Sequence, residues 1–259
     1  MPNQDPVPAP PKMARLPRDR RGYLVPWFVG YVNGEPDFRV MDGAKATQAV
    51  REKLCWLCGQ TLGRHLAFNI GPMCAINRVS SEPPSHRDCA VYAAQACPFL
   101  TQPSRPRRPQ GMPADGQQPA GMGLDRNPGV ALVWITTSYR VDHIHPRDFK
   151  AGAPIRSGVL FQVGDPEECL WFCQGRPATR WEVLDSILTG LPALQEAARA
   201  DGDDAVAALD LAVARALVLV PARRETDGVN AETKGGRDET TRRPGAAPHR
   251  DRETAGRAE

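Results

Sequence analysis

The chain has 259 residues, a formal net charge of +3 and 41% hydrophobic residues. That is enough for one large folded unit or two small ones, and the charge is too weak to imply nucleic acid by itself. No run approaches the ~18 uncharged apolar residues of a membrane span. The first twenty residues hold six prolines and no apolar h-region, which argues against a secretory signal.

Composition divides the chain. Residues 1–20 are Pro-rich and read as disordered. Residues 102–129 hold six Pro and five Gly and read as a linker. Residues 222–259 carry nine basic and eight acidic residues with Val229 as the single bulky aliphatic, a mixed-charge tail too poor in apolar surface to fold. Two folded segments are expected, residues 21–101 and 130–221. Of the 33 basic residues 28 are Arg, so a run such as Arg105, Arg107 and Arg108 reads as a solvated stretch rather than a phosphate contact.

The first segment opens with a hairpin: Tyr23 to Val32, the turn Asn33-Gly34, then Phe38 to Met41. Pro26 places the first strand at an edge. Ala44 to Leu54 reads as a short helix. Leu66, Phe68 and Ile70 alternate as a half-buried strand does. Gly71-Pro72 marks a turn, with Cys74 and Ile76 on a second strand and Cys74 facing the core. Ser85, with Asp88 as capping-box partner, starts a helix that Pro98 stops.

The second segment begins with a strand, Val130 to Thr136, and a further strand covers Gly158 to Val163. Asp165-Pro166-Glu167-Glu168 has the composition of a helix start, and the helix it predicts ends near Gly175. Thr179 and Glu182 form another capping box, with Trp181, Leu184, Ile187 and Leu188 as the buried stripe. Gly190 ends that helix and Pro192 permits another. Asp203 to Val220 is the last helix, burying Leu209, Val213, Leu217 and Val220.

Seven cysteines without an export signal point away from a disulfide framework and toward metal binding or buried thiols in a cytoplasmic setting. Cys55-Trp56-Leu57-Cys58-Gly59 has the form of a zinc knuckle, in which two thiolates grip one ion from a tight turn and Gly accepts the backbone conformation that follows. His86 and Cys89 supply a second pair on the first turn of a helix, where a spacing of three puts both on one face. The expected ligand set for one structural Zn²⁺ is Cys55, Cys58, His86 and Cys89. Cys97 is the substitute for His86 should the geometry shift, and His65 reads as a surface strand residue. Knuckle, hairpin and ligand-bearing helix together resemble a treble-clef zinc finger over about residues 54–97. Taken together, the predicted elements read as an α+β fold: an N-terminal β-hairpin with a treble-clef-like zinc module, then a small α+β segment ending in helices.

Cys169 and Cys173, four apart on a predicted helix, lack a second pair and read as packing residues. Val141-Asp142-His143-Ile144-His145-Pro146 resembles the first strand of the HNH nuclease motif, where a His is general base and an Asp holds a metal. Here it lies after the knuckle–helix unit, and no further His follows until His249. The constellation is therefore incomplete. No Walker or dinucleotide glycine loop and no Gly-x-Ser-x-Gly elbow occurs.

The runs Cys55 to Gly59, Ile70 to Cys74, Glu82 to Cys89 and Cys97 to Leu100, with Gly164-Asp165-Pro166 and Gly175 to Arg180, resemble a family of uncharacterised proteins from actinobacteria and their phages. That resemblance implies no activity. The residues point to a non-enzymatic, zinc-stabilised binding or scaffold protein whose partner is nucleic acid or protein, with no membrane role. The alternative is a degenerate HNH-like nuclease built on Asp142, His143 and His145.

Overall fold

The computed structural model describes residues 7–102, 127–145 and 158–223. Most of the linker and of the C-terminal tail expected from composition lies outside the described residues.

Of the stretch 1–20 expected to be disordered, residues 1–6 lie outside the described residues, and residues 7–20 differ from the disordered leader their proline content suggests. Pro11–Met13 forms a 3-10 turn, and Met13 is 1% exposed. Asp19 then closes a tight loop: its carboxylate accepts from the backbone N–H groups of Arg21 and Tyr23. Few apolar residues are needed to order such an arm when one of them finds a prepared pocket.

Strands β1 (Val29–Val32) and β2 (Glu35–Met41) form a hairpin on the expected Asn33-Gly34 turn, but the first strand is shorter than expected: Tyr23 to Phe28, Pro26 included, lie before it and outside the sheet. Asn33 and Gly34 both take positive φ, 52° and 82°, the pair of values a two-residue turn needs to match strand twist. Helix α1 (Gly43–Glu52) is capped by Asp42, whose side chain accepts from the N–H groups of Ala44 and Lys45.

The two expected segments meet in one sheet. Strand β3 (Leu66–Ile70) pairs antiparallel with β5 (Ala131–Thr136), β5 with β8 (Glu168–Cys173), and β8 with β9 (Arg176–Pro177). All six residues of the central strand β5 are buried. A second sheet has the order β4 (Val79–Ser80), β7 (Gly158–Val163), β6 (Tyr139–Ile144). Phe68 and Ile76 from the first segment share a core with Trp134, Phe161, Trp171, Val183 and Ile187 from the second. The architecture is α+β with small sheets and several helices.

Several local expectations give way to tertiary context. Pro72 to Asn77 is a helix, α2, not a strand. Gly71 and Pro72 are its cap and first residue, and Pro at that position presets helical φ. The helix α3 spans Arg87–Ala96 with His86 at its cap; Ser85 is not the cap, because its N–H and C=O both bond to Ala67. The acidic run before Cys169 does not start a helix. The residues after it, Cys169-Leu170-Trp171-Phe172-Cys173, lie along β5 as β8, where strand pairing buries an apolar run that a short helix would half expose. Gln174 (φ 53°) and Gly175 (φ 78°) then make the two-residue turn into β9.

The Thr179–Glu182 capping box is formed, and helix α4 (Arg180–Asp201) runs on through Gly190 and Pro192. Leu191 and Leu194 pack into the main core on both sides of Pro192 and hold the helix through it. Gly190 is a contact position: a Cβ there would come within 2.9 Å of the Met73 sulfur. Of the expected stripe, Ile187 is buried, but Trp181 is 55% and Leu188 67% exposed, because the buried face is centred on Val183 and Ile187. Helix α5 (Asp203–Val218) turns Leu209 and Val213 inward and leaves Leu217 outward.

Candidate metal centre

The knuckle is built from the end of α1. Lys53 takes a left-handed conformation (φ 51°) and turns the chain, Leu54 bridges Thr61, and Cys55 N–H donates to the Gln60 carbonyl at 2.7 Å. Inside this loop Gly59 N–H donates to the Cys55 carbonyl at 2.8 Å. Gly59 has φ +73°, and a Cβ on it would lie 2.7 Å from the Trp27 ring. Both the backbone angle and the indole lid require glycine here.

The second ligand pair arrives on α3. The two-way backbone pairing of Ser85 with Ala67 fixes where this helix begins, so His86 caps it and Cys89 follows one turn later. The ligand atoms of Cys55, Cys58, His86 and Cys89 all lie within 4.8 Å of one another. The four residues named from their spacing are therefore brought together. No other cluster of three or more metal-ligating side chains occurs among the described residues.

The donor set fits a single tetrahedral ion. Around Zn²⁺ with Zn–S bonds of ~2.3 Å, sulfurs sit roughly 3.8 Å apart. His86 Nδ1 lies 3.4 Å from Cys58 Sγ and 3.9 Å from Cys89 Sγ. The other ring nitrogen, Nε2, lies 3.0 Å from the Thr61 carbonyl oxygen. That oxygen can only accept, so the proton sits on Nε2 and the Nδ1 lone pair faces the sulfurs. Cys55 Sγ accepts from the backbone N–H groups of Cys58 (3.5 Å) and His86 (3.3 Å). Contacts from the Cys58 and Cys89 thiols pull the Cys55 thiol far below its ordinary range, and the same contacts push Cys58 and Cys89 up. Three sulfurs this close cannot all ionise without a cation among them, which a bound metal supplies.

The centre is closed. Cys55 and Cys89 are fully buried, and Cys58 and His86 are each 8% exposed. Met13, Leu24 and Leu57 pack around the cysteines, joined by Phe28, Leu62 and Tyr92. The Gln60 amide also donates to the Lys12 carbonyl at 3.0 Å and ties the N-terminal arm to the knuckle. Sequence reasoning missed this arm, whose signal was Met13 and Leu16 in an otherwise Pro-rich stretch. A cleft of about 390 Å³ lies beside the centre, with Lys12, Arg64, Arg87 and Asp88 on its walls. Arg87 pairs with Glu168 and lies 3.7 Å from Asp88, and His65 at the rim of the cleft lies 3.3 Å from Glu167, while Lys12 and Arg64 make no ion pair among the described residues.

The 27 residues between the ligand pairs do not form the hairpin expected there. They hold β3, α2 and β4, and the two strands belong to different sheets. Cys97 caps the C-terminal end of α3 and is not in the cluster. Burial raises the Cys74 thiol on α2, as it does Cys169 and Cys173, each pushed up to about 11. Cys169 and Cys173 lie on one face of strand β8, not on a helix.

Asp142, His143 and His145 do not converge in a cleft. Asp142 and His143 are neighbours on β6 and so point to opposite sides of the sheet. Asp142 accepts from Arg140 at 2.9 Å, and His143 is exposed opposite Val159. Arg105, Arg107 and Arg108 lie outside the described residues. No described helix is long and apolar enough to cross a membrane. No family model matches the chain, and no curated protein or solved structure was found to be similar to it.

Proposed function

We propose that the chain is a non-enzymatic, zinc-stabilised binding or scaffold protein, with one structural Zn²⁺ held by Cys55, Cys58, His86 and Cys89 in a treble-clef-like knuckle-and-helix arrangement. The observation that carries this reading is the closed Cys₃His cluster. Four protein donors fill a tetrahedral shell and leave no position for a reacting water or substrate. The soft donor set favours Zn²⁺ over hard cations such as Mg²⁺ or Ca²⁺. A reducing, cytoplasmic setting keeps such thiols available. The partner is nucleic acid or protein. The HNH-like nuclease reading has no observation in its favour at β6.

Elemental analysis of the purified full chain tests the metal. One zinc per chain is expected, with loss of it in Cys58→Ser and Cys89→Ser. Apparent zinc affinities of such sites are worth ~10 kcal/mol or more at neutral pH, so the loss is expected to destabilise the residues around the knuckle visibly. Metal-free wild-type protein of full stability would overturn the reading.

A further inference from the structure

Helix α5 is apolar on two opposite sides, and only one of them is used. Leu209, Ala212, Val213 and Ala216 pack into the main core. On the far side Ala207, Leu211, Ala214 and Val218 face solvent, with Leu211 52% and Val218 81% exposed. At 100° per residue these four positions fall within about 60° of one line along the helix. Their spacing is four, three, four, the alternation of a coiled-coil seam. This outward stripe lies on a helix already anchored by its inner face.

The residues flanking the stripe indicate its occupant. With Leu211 and Val218 at a positions and Ala207 and Ala214 at d, Asp210 falls at g and Arg215 at the e position five residues later. Both are exposed, and neither has an ion-pair partner among the described residues. They sit on opposite flanks of the seam, so they cannot reach each other within one helix. In a parallel pair of helices, g of one chain meets the e position five residues on in the other. Asp210 would then meet Arg215 of the second copy, and the twofold axis repeats the pair. An antiparallel pair instead sets Asp210 against Leu217 and Arg215 against Ala208, with no charge match.

We propose that α5 is a self-association surface, on which a second copy of this chain docks its own α5 in parallel, with Leu211 and Val218 in the seam and two Asp210–Arg215 pairs at its sides. The contact is isologous, the same patch on both copies, as a closed dimer requires. No helix has to fold on association, because α5 is already held by α4 and the core. The inference does not depend on the metal reading.

Sedimentation velocity of the full chain between about 1 and 200 μM tests it, since association follows mass action. The wild type is expected to pass from monomer to dimer across that range. Leu211→Lys is expected to stay monomeric throughout, with a melting temperature equal to wild type at about 1 μM, where both are monomers, because the side chain it replaces is already half exposed. Asp210→Arg is expected to weaken the dimer about threefold to tenfold, and the swap Asp210→Arg with Arg215→Asp to restore it. Val218→Cys is expected to cross-link to itself under mild oxidation faster than wild type, since the two 218 positions meet across the axis. A wild type monomeric throughout, which is the result if another protein or this chain's own tail covers the stripe, would overturn the proposal. So would a Leu211→Lys variant that dimerises like wild type. A dimer that resists both the charge swap and the cross-link would overturn the parallel seam.

Discussion

The carbonyl of Thr61 holds the imidazole of His86 by its Nε2 edge, 3.0 Å away, and thereby turns Nδ1 toward the thiols of Cys58 and Cys89. The knuckle thus places two cysteines of the cluster and also orients the histidine of the other pair. Two-bond ¹H–¹⁵N spectra of zinc-loaded protein are expected to show His86 protonated at Nε2 and metal-bound at Nδ1. The opposite tautomer would mean that Thr61 does not orient the ring. His86→Cys is expected to keep the metal, and His86→Ala to weaken zinc binding markedly, read by competition with a chromophoric chelator.

Met13 packs in the same cluster as Cys55, Cys58 and Cys89. Truncating a buried methionine costs about 2–5 kcal/mol when the site cannot collapse. Met13→Ala is therefore expected to lower thermal stability and to speed zinc transfer to a chelator, since the arm over the thiolates loses its anchor. Unchanged transfer kinetics would show that the arm is no barrier to metal exchange.

Glu182 links the acid stability of the fold to α4. Burial acts to raise its pKa, but the Arg176 guanidinium and the Thr179 N–H outweigh that and hold it down at about 2. Its folded pKa is depressed, so the stability it contributes is present above the unfolded value near 4.5 and is lost as pH falls through about 2. Thermal melts of wild type and Glu182→Gln are expected to differ most at pH 5 and above, and to converge as the pH approaches 2. Metal loss in acid affects both proteins and cancels in the comparison. Parallel curves would show that Glu182 carries no such linkage.

His143 is exposed and its neighbour Asp142 is engaged by Arg140. His143→Ala is expected to change stability by no more than about 0.5 kcal/mol, as surface substitutions do. Neither wild type nor variant is expected to cut plasmid or single-stranded DNA with Mg²⁺, Mn²⁺ or Ni²⁺. Cleavage by wild type that vanishes in the variant would move the functional site to β6.

The Cys/His cluster was readable because the geometry that brings such side chains together is local at each end. A Cys-x-x-Cys followed by Gly and a His-x-x-Cys on a helix turn each fix a pair by backbone geometry alone, and the Asn33-Gly34 turn and Thr179–Glu182 box are local in the same way. What joins the two ligand pairs is not local. The antiparallel pairing of Ala67 with Ser85 starts α3 where His86 and Cys89 can reach the knuckle, and no spacing rule reports it. The same holds for β8. Its acidic approach favours a helix, but β5 offers a buried edge that a strand alone can pair with, and burying Leu170, Trp171 and Phe172 there outweighs the propensity. The sequence determined which side chains could hold a metal and where several elements begin and end. Tertiary structure decided that residues 21–101 and 130–221 share a sheet and a core, that Met13 closes the centre, and that Leu211 and Val218 face outward. Each of those depends on free energy gained only when segments far apart in the chain meet.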